Sequence, residues 1–263
     1  MKNISLITVC YNSESTITDT LRSVSDQTYS DIEHIVIDGG SSDSTMSLVS
    51  KYGERVVKSI SEKDKGIYDA YNKGLMIATG DIIGFINSDD FYFSNDVIAK
   101  VMSVFDDPLV EACHANLIYV NPINTDLVER FWKSWAFQHN DLEKGSIPAH
   151  PTVFFRRDVY ERFGNFDLQF KLVADHDFLL RMFYTNKVKS VYVNDTWVRM
   201  RSGGATGGNV KSLVKQNMEI RAVQKKNGIN NSLLVFGVIK LVDRLKQMLK
   251  FRYGKTSSTK GIE

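Results

Sequence analysis

The chain has 263 residues, of which 43% are hydrophobic and 24% are charged. This composition is typical of a soluble folded protein, and the length is near the upper limit for one hydrophobic core. It excludes a disordered tail, a collagen-like fibre and a protein with several membrane spans. Two cysteines, Cys10 and Cys113, are too few for a disulfide framework or a cysteine zinc site, so we expect both to be buried and reduced.

The net charge of +2 conceals an uneven distribution. Residues 211–263 contain twelve Lys and Arg and three acidic residues, so this part carries +9 and the first 210 residues carry −7. A general nucleic-acid-binding protein would instead carry its basic groups along a groove of the folded body. We therefore expect no nucleic-acid partner, but an acidic body that uses a metal and a tail that meets an anionic surface.

In the first half of the chain, short apolar runs alternate with segments of helical periodicity. Strands are predicted over 4–9, 32–37, 56–60 and 81–86, and helices over 17–24, 41–52, 67–78 and 97–105. Such alternation is typical of a parallel, doubly wound sheet. In these sheets ligands bind at the carboxyl ends of the strands, where the polar clusters of this sequence fall.

The alternation changes after residue 108. Strands are predicted over 111–120 and 188–193 and at the start of 148–155, and helices over 157–163 and 175–184, while 127–137 stays undecided. A glycine-rich stretch over 203–208 predicts a hinge-like loop. From 209 to 263 the pattern predicts a helical tail, and between 233 and 251 apolar residues alternate with lysines and arginines. This basic amphipathic segment favours a membrane interface, and packing on the body is the alternative.

Two adjacent acids end the segment Asn87-Ser88-Asp89-Asp90, directly after an apolar strand. Both carboxylates cannot face a core without a large desolvation cost. Oxygen ligands at a strand end suit Mg²⁺ or Mn²⁺ together with phosphate oxygens and water. The alternative interpretation is a solvated turn that caps the next helix, and this fragment alone does not decide between the two.

Four motifs in order give the fragment a context. Residues 8–12, 37–45, 64–81 and 87–90, with strand–helix spacing between them, resemble the family-2 glycosyltransferases of the GT-A type over about residues 2–205. The similarity is greatest to bacterial enzymes that build O-antigen, capsule and other exopolysaccharides. It implies a GT-A, Rossmann-like α/β fold with a mixed, mostly parallel central sheet flanked by helices. The glycosyltransferase domain would span 1–208, with a nucleotide-sugar half over 1–108 and an acceptor half over 109–208.

The resemblance assigns the donor nucleotide and its metal to the carboxyl ends of the first strands. Tyr11 would offer its ring to the base, and Asp38 would accept the imide N–H of a uracil. Asp90 would bind Mn²⁺ or Mg²⁺, and Asp89 would contact the ribose or the sugar. This chain has Asn87 where the family's motif often has its first Asp, so the division of roles among these acids stays open. The expected nucleotide-binding residues are Thr8, Tyr11, Asn12, Asp38, Lys65, Asp69, Asn72, Ser88 and Asp89.

In the second half, residues 166–170 and 173–181 resemble the family's acceptor-side segment. Asp175 falls on the position of the general base, and Asp177 is the alternative. The Glu that commonly precedes the base is Ala174 here. His150 and Arg201 are the other expected acceptor-side residues.

Two further departures concern cations. Many relatives carry Arg where this chain has Tyr71, and Lys65 is the candidate to supply that charge to the diphosphate. Many relatives also place a metal-binding His just before the glycine-rich loop, where this chain has Arg201. Either Arg201 binds phosphate directly, or the metal has fewer protein ligands.

The resemblance implies an inverting, metal-dependent hexosyltransferase that uses a nucleotide-diphosphate sugar, with UDP favoured through Asp38. The expected acceptor is a polyprenyl-diphosphate-linked saccharide, and the expected location is the cytoplasm, on the inner face of the membrane. The sequence leaves homo-oligomers open. The alternatives to an active glycosyltransferase are a catalytically inactive nucleotide-sugar-binding or scaffold protein on the same fold, and a nucleotidyltransferase. The second should carry a glycine-rich phosphate loop after the first strand, where this chain has Tyr11-Asn12-Ser13-Glu14.

Overall fold

The computed structural model describes residues 2–143, 146–203 and 210–229. In the first half, four parallel strands lie side by side in the order β3-β2-β1-β4. These strands are β1 (Ile4–Cys10), β2 (Ile32–Asp38), β3 (Val56–Ser61) and β4 (Ile82–Phe85), and the helices that follow the first three are α1 (Ile17–Ser25), α2 (Thr45–Tyr52) and α3 (Ile67–Ile77). The predicted parallel α/β arrangement is confirmed.

The burial of these elements follows from the sequence pattern. All seven residues of β1 are buried, because helices cover both faces of a parallel sheet and leave no side to water. On α1 the buried apolar residues are Ile17, Leu21 and Val24, the spacing of four and three that predicts an amphipathic helix. Cys10 and Cys113 are buried free cysteines, as expected.

The second half extends the same sheet with antiparallel pairs. The complete order is β3-β2-β1-β4-β8-β6-β9-β5, with β7 paired to β6. Strand β8 runs antiparallel to both β4 and β6, whereas β6 and β9 are parallel. The remaining elements are β5 (Phe91–Tyr92), α4 (Val97–Val104), β6 (Ala112–Val120), β7 (Val128–Trp132), α5 (His139–Glu143), β8 (Phe154–Arg156), α6 (Arg157–Phe163), α7 (Ala174–Leu180), β9 (Ser190–Arg201) and α8 (Val210–Lys226).

Three element boundaries differ from the sequence prediction. The strand expected within 148–155 begins only at Phe154, because His150–Thr152 forms a 3₁₀ turn containing Pro151. The helix expected to reach residue 184 changes at Arg181 into a short π-helical turn. Strand β9 continues eight residues beyond the predicted end at Val193. Asn194 and Asp195 disfavour a strand locally, but an irregularity in the β6–β9 register accommodates them.

Two apolar clusters fill the space on either side of the sheet. One joins α3, α7 and α8 and includes Tyr71, Phe85 and Phe178. The other joins α4 to the sheet and includes Phe105 and Trp197. Residues of both predicted halves contribute to each cluster, so the donor and acceptor segments are packed into one body. Within the described ranges, no helix has the length and apolar character needed to cross a membrane. The amphipathic segment over 233–251 lies outside those ranges.

Candidate active site

The loops after β1, β2 and β4 meet at one edge of the sheet. Cys10 pairs with Asp38 in the β1–β2 register, and Ile7 pairs with Phe85 in the β1–β4 register, so the three carboxyl ends are adjacent. Asn12 adopts a positive φ of 47°, its backbone N–H donates to Ser41 Oγ at 2.7 Å, and its Oδ1 accepts from the Ser42 N–H at 2.9 Å. The Asn12 side chain therefore fastens the first loop to the second.

Tyr11 presents its ring to solvent at this edge, with 64% of the residue exposed. A Cβ atom at Gly39 would lie 3.4 Å from Tyr11 Cδ2 and 2.6 Å from Asp64 Oδ2. A side chain at position 39 would therefore displace the carboxylate of Asp64, a residue of the loop that precedes α3. The arrangement leaves an open aromatic face of the kind on which a nucleotide base can stack.

Asp38 is wholly buried, and both of its carboxylate oxygens accept hydrogen bonds from neighbouring residues. Its Oδ2 accepts from the N–H groups of Gly40 and Ser41 at 3.2 and 2.9 Å and from Ser61 Oγ at 2.6 Å, and its Oδ1 accepts from Ser41 Oγ at 2.5 Å. Burial alone would raise the pKa of this carboxyl, but the hydrogen bonds from Ser41 and Ser61 outweigh burial and lower it. The uracil contact of Asp38 stays a prediction.

Two more of the predicted nucleotide-binding residues lie in the interior. Thr8 is fully buried within β1, and its Oγ1 lies 3.0 Å from His34 Nε2. Ser88 is buried, and its hydroxyl lies 2.8 Å from that of Ser13. Both side chains connect elements below the open edge of the sheet, and their contact with a nucleotide stays a prediction.

The start of α3 carries three more of the predicted residues. Lys65 is exposed, and its backbone N–H donates to Asp69 Oδ2 at 3.0 Å. Asn72 makes two hydrogen bonds to the backbone of Phe166: its Nδ2 donates to the carbonyl at 2.9 Å, and its Oδ1 accepts from the N–H at 3.1 Å. Asn72 thus joins the donor half to the acceptor segment.

Asp90 is the least satisfied carboxylate of the site. It is fully buried, its Oδ2 accepts from Asn87 Nδ2 at 3.2 Å, and its Oδ1 has no hydrogen-bond partner among the described residues. Burial and the neighbouring Asp89 raise the pKa of Asp90 well above its ordinary value. Burial also raises the pKa of Asp89, and the charge of Arg201 opposes that shift. The charge of Arg201 and a hydrogen bond from its backbone also oppose the shift of Asp90, but burial outweighs them.

Arg201, the last residue of β9, lies beside this pair. Its Nη1 donates to the Asp89 carbonyl at 2.7 Å, its Nη2 contacts the Asp19 carboxylate on α1, and its guanidinium carbon lies 5.1 Å from the Phe91 ring centroid. The described contacts of Arg201 are thus with α1 and with the loop that carries Asp89, and its acceptor-side role stays a prediction. The predicted glycine-rich hinge that follows it lies outside the described residues beyond Gly203.

Asp175 occupies the first turn of α7 and faces α3, where the Tyr68 hydroxyl donates to its Oδ1 at 2.8 Å. The His150 ring lies nearby, with centroids 5.7 Å from Tyr71 and 5.5 Å from Phe166. Burial lowers the pKa of His150, and the charge of Asp175 opposes the shift. His150 is thus a neutral imidazole at neutral pH, next to the predicted base.

Asp177 faces the opposite side of the helix and is fully buried. Lys226 Nζ lies 3.0 Å from its Oδ1, Asn227 Nδ2 donates to the same oxygen at 3.2 Å, and Arg181 Nε lies 3.4 Å from its Oδ2. These partners bind α7 to α8. The described geometry therefore places Asp175 at the aromatic pocket beside His150 and Asp177 in a structural ion cluster.

Sequence reasoning missed the tyrosine contacts that connect the two halves. Tyr71 donates to Asn87 Oδ1 at 2.5 Å, and burial together with the charges of Asp175, Asp90 and Asp89 raises its pKa well above the usual range. Tyr68 and Tyr71 are three residues apart on α3, so both point to the same side of the helix. That spacing was the available signal, but apolar spacing alone predicts only a core-facing side.

The metal suggested by the resemblance can be tested against these residues. Among the described residues, no group of three or more His, Cys, Asp or Glu side chains is arranged to hold a metal ion. Mg²⁺ and Mn²⁺, however, are commonly held by one or two carboxylates, with substrate phosphates and water completing the shell. The unpartnered Oδ1 of Asp90, beside a second acid, fits that incomplete protein shell.

Comparison with known proteins identifies relatives of this chain. The curated relatives include a PGL/p-HBAD biosynthesis glycosyltransferase of Mycobacterium bovis, 28% identical over 194 residues that cover 72% of this chain and 73% of the relative. They also include the UDP-Glc:alpha-D-GlcNAc-diphosphoundecaprenol beta-1,3-glucosyltransferase WfaP of Escherichia coli, 23% identical over 85% of this chain and 87% of that protein.

Solved structures show the same fold. The crystal structure of S. aureus TarS 1-349 in complex with UDP matches 84% of this chain and 65% of that chain, with a TM-score of 0.63 and 19% identity. The mannosyltransferase PcManGT from Pyrobaculum calidifontis, in complex with GDP-Man and Mn²⁺, matches 97% of this chain and 83% of that chain, with a TM-score of 0.58 and 16% identity. The family profile described as glycosyl transferase family 2 matches residues 5–171. The chain is a glycosyltransferase and belongs to family 2.

Proposed function

We propose that this glycosyltransferase transfers a hexosyl residue, with inversion, from a UDP-sugar to a lipid-linked saccharide. One observation carries the proposal: the charges of Asp175, Asp89 and Asp90 all act on the buried Tyr71. The Asp175 carboxylate next to a neutral histidine and an acid pair with one buried member therefore share one site. Inverting transfer requires a base for the acceptor and a counter-charge for the departing diphosphate.

Asp175 is the base in this proposal. Its carboxylate takes the proton of the acceptor hydroxyl while that oxygen bonds to the anomeric carbon and the bond from carbon to the diphosphate oxygen breaks. The displacement is in line, so the configuration inverts. The neutral His150 is available to hydrogen-bond a second acceptor hydroxyl.

The acid pair and Arg201 serve the leaving group. Asp90, with Asp89 beside it, would hold Mn²⁺ or Mg²⁺, which supplies positive charge to the diphosphate. Arg201 adds a fixed cation at the same loop. Lys65 is exposed on the loop before α3 and is the second cation proposed for the diphosphate.

UDP is the donor nucleotide that the relatives favour. TarS was crystallised with UDP, and the name of WfaP specifies UDP-Glc, whereas the PcManGT complex holds GDP-Man. In this chain the exposed Tyr11 ring offers the stacking surface for the base. Asp38 reads the uracil in this proposal, which requires one of its loop hydrogen bonds to be exchanged for the imide N–H.

The acceptor class follows from WfaP, whose name specifies a diphosphoundecaprenol-linked sugar. We extend this to the present chain as a polyprenyl-diphosphate-linked saccharide in bacterial surface polysaccharide synthesis, at the inner face of the cytoplasmic membrane. The basic amphipathic segment over 233–251 would supply membrane contact through its apolar face and its lysines and arginines, while α8 before it packs on the body.

A transfer assay tests the proposal. The purified chain is incubated with UDP-, GDP- and dTDP-sugars, Mn²⁺ and a polyprenyl-diphosphate GlcNAc acceptor, and the products are identified by mass spectrometry and by the NMR coupling of the new linkage. We expect transfer with a UDP-sugar and an inverted anomeric configuration. Asp175→Asn should lower turnover by about 10²–10⁴-fold with little change in UDP affinity.

Asp177→Asn is the matched control on the same helix. Because Asp177 lies in an ion cluster with Lys226 and Arg181, its replacement should lower thermal stability but spare the turnover of the folded enzyme. A larger loss of turnover in Asp177→Asn would exchange the roles of the two acids. Binding of UDP-sugar without any transfer would instead support the inactive binding protein.

Liposome flotation tests the membrane part separately. The full chain should float with anionic vesicles at low salt, and removal of residues 232–263 should abolish flotation while leaving UDP binding intact. Each Lys or Arg near an anionic surface contributes about 1 kcal/mol, and this attraction weakens with salt. A full chain that ignores anionic vesicles at low salt would assign the tail to packing or oligomer formation.

A further inference from the structure

The one described hydrogen bond to the Asp175 side chain comes from the first turn of a different element. The Tyr68 hydroxyl on α3 donates to Asp175 Oδ1 at 2.8 Å. Tyr68 is buried, and its ring packs against Phe166 with centroids 5.9 Å apart. A buried ring fixed by a neighbouring aromatic leaves its hydroxyl little freedom, so the donor points steadily at the carboxylate.

The hydrogen bond from Tyr68 matters because of the other groups that surround the Asp175 carboxylate. The titratable and charged groups that face Asp175 are Tyr68 and Tyr71 from α3, and His150 from the turn before β8. On its own helix, His176 and Asp177 are its neighbours in sequence, and the Asp177 carboxylate is directed to Lys226 and Arg181. None of the groups from α3 or from that turn is a fixed cation. Tyr68 therefore supplies the described polar stabilisation of the carboxylate.

From this contact we infer that Tyr68 is a positioning residue for transfer: by donating to Oδ1 it fixes the orientation of the Asp175 carboxylate and aims the other oxygen, Oδ2, at the acceptor hydroxyl. The inference rests on the proposed function, since it assumes that Asp175 is the base. A hydrogen bond donated to a carboxylate favours the charged form, so its loss makes the group easier to protonate. It also releases the side chain to rotate about its own bonds, which costs turnover more than substrate binding.

Tyr68→Phe tests the inference, with Tyr71→Phe as the matched control. Both variants delete one buried hydroxyl from the same face of α3, but the Tyr71 hydroxyl donates to Asn87, not to Asp175. Phenylalanine retains the ring packing in each case. For the wild type and both variants, kcat and the KM of donor and acceptor are measured from pH 4.5 to pH 9.

We expect Tyr68→Phe to lower kcat about tenfold, which corresponds to roughly 1.4 kcal/mol, with the donor KM unchanged. The acidic limb of its kcat profile should move to higher pH by about one unit, because without the hydrogen bond the Asp175 carboxyl stays protonated to a higher pH. Tyr71→Phe should leave that limb where it is in the wild type. An unmoved limb in Tyr68→Phe, or an equal movement in both variants, would overturn the inference.

A measurement without turnover separates this inference from the proposed function. Aspartate carboxyl carbons are labelled with ¹³C, the Asp175 signal is assigned from its absence in Asp175→Asn, and the signal is titrated by NMR. Titration at higher pH in Tyr68→Phe than in both the wild type and Tyr71→Phe would support the contact, even if no donor were transferred. The absence of transfer by the wild type would then contradict the proposed function alone, and identical titrations would overturn the inference.

Discussion

Asp38 and Asp90 both lie at the carboxyl-end edge of the parallel strands, and both are fully buried. Gly40 and Ser41 of the loop after β2, together with Ser61 at the end of β3, surround Asp38 with donors, and its pKa is lowered. The loop after β4 gives Asp90 the Asn87 amide and a second acid as neighbours, and although Arg201 opposes the shift, burial and Asp89 raise its pKa. The same position in the fold therefore produces two opposite electrostatic environments.

The difference separates two uses of a buried carboxylate. A carboxylate whose oxygens all accept hydrogen bonds stabilises the backbone of the loop that carries the site. An unsatisfied one is costly to the folded chain unless a ligand supplies the missing charge. Burial by itself does not mark a functional acid, whereas an unpaired oxygen beside a second acid does. We therefore expect the two residues to respond in opposite ways to the same substitution.

The largest expected effect is on turnover. Asp90→Asn keeps the shape of the side chain but removes half of the carboxylate pair, so the transfer rate should fall by about 10²–10⁴-fold, equivalent to several kcal/mol of charge stabilisation. The rate is measured at saturating donor and Mn²⁺. Asp158→Asn, on the surface of α6, serves as the control carboxylate and should retain the wild-type rate. A fully active Asp90→Asn enzyme would remove the contrast between the two acids.

The next effect is on the stability of the second loop. Asp38→Asn replaces a carboxylate oxygen by an NH₂ group that cannot accept from the surrounding donors, so the free energy of unfolding should fall by about 2–4 kcal/mol at pH 7. Because folding lowers the pKa of Asp38 from 3.8, this stabilisation is present above about pH 4 and is lost as the pH falls further. Urea unfolding of the wild type and of Asp38→Asn at pH 7 and pH 3 measures the loss of stability and its dependence on pH. Equal losses at the two pH values would contradict the account.

The smallest effect has the opposite sign. In the absence of metal, Asp90→Asn should raise the free energy of unfolding by about 1 kcal/mol at pH 7, because it removes an uncompensated buried acid. Folding raises the pKa of Asp90, so the wild type loses stability as the pH rises above 3.8 and the variant does not. The gain should therefore vanish toward pH 4. If Asp90→Asn were destabilised in metal-free buffer, Asp90 would have the same loop-stabilising role as Asp38.

Much of the fold could be predicted because its signals are local. The apolar runs and the spacing of Ile17, Leu21 and Val24 predicted the parallel half of the sheet to within a few residues. The long strand β9 was missed, since Asn194 and Asp195 look like a turn and only their pairing with β6 keeps them extended. Long-range pairing of this kind leaves no periodic trace in the sequence.

The candidate site could be predicted in part for a related reason. Resemblance to the family's motifs selected Asp90 and Asp175 and left Asp177 as the alternative, because the partners of the two acids come from α3 and α8, far away in sequence. Nor did it indicate that Thr8 and Ser88 would be buried, or that Asn72 would bind the Phe166 backbone. Residue type and spacing identify which groups lie near the site, and tertiary contacts decide which of them remain free to act.

The most direct test of the central claim, that Asp90 holds the metal for a nucleotide donor, is thermal unfolding with Mn²⁺, with UDP and with both together. At about a hundred times its dissociation constant, a ligand stabilises by roughly 2.7 kcal/mol, or about 5–10 °C for a domain of this size. The wild type should show a larger shift with UDP and Mn²⁺ together than with either alone. In Asp90→Asn that additional shift should disappear while the surface control Asp158→Asn retains it, and an undiminished Mn²⁺-dependent shift in Asp90→Asn would contradict the claim.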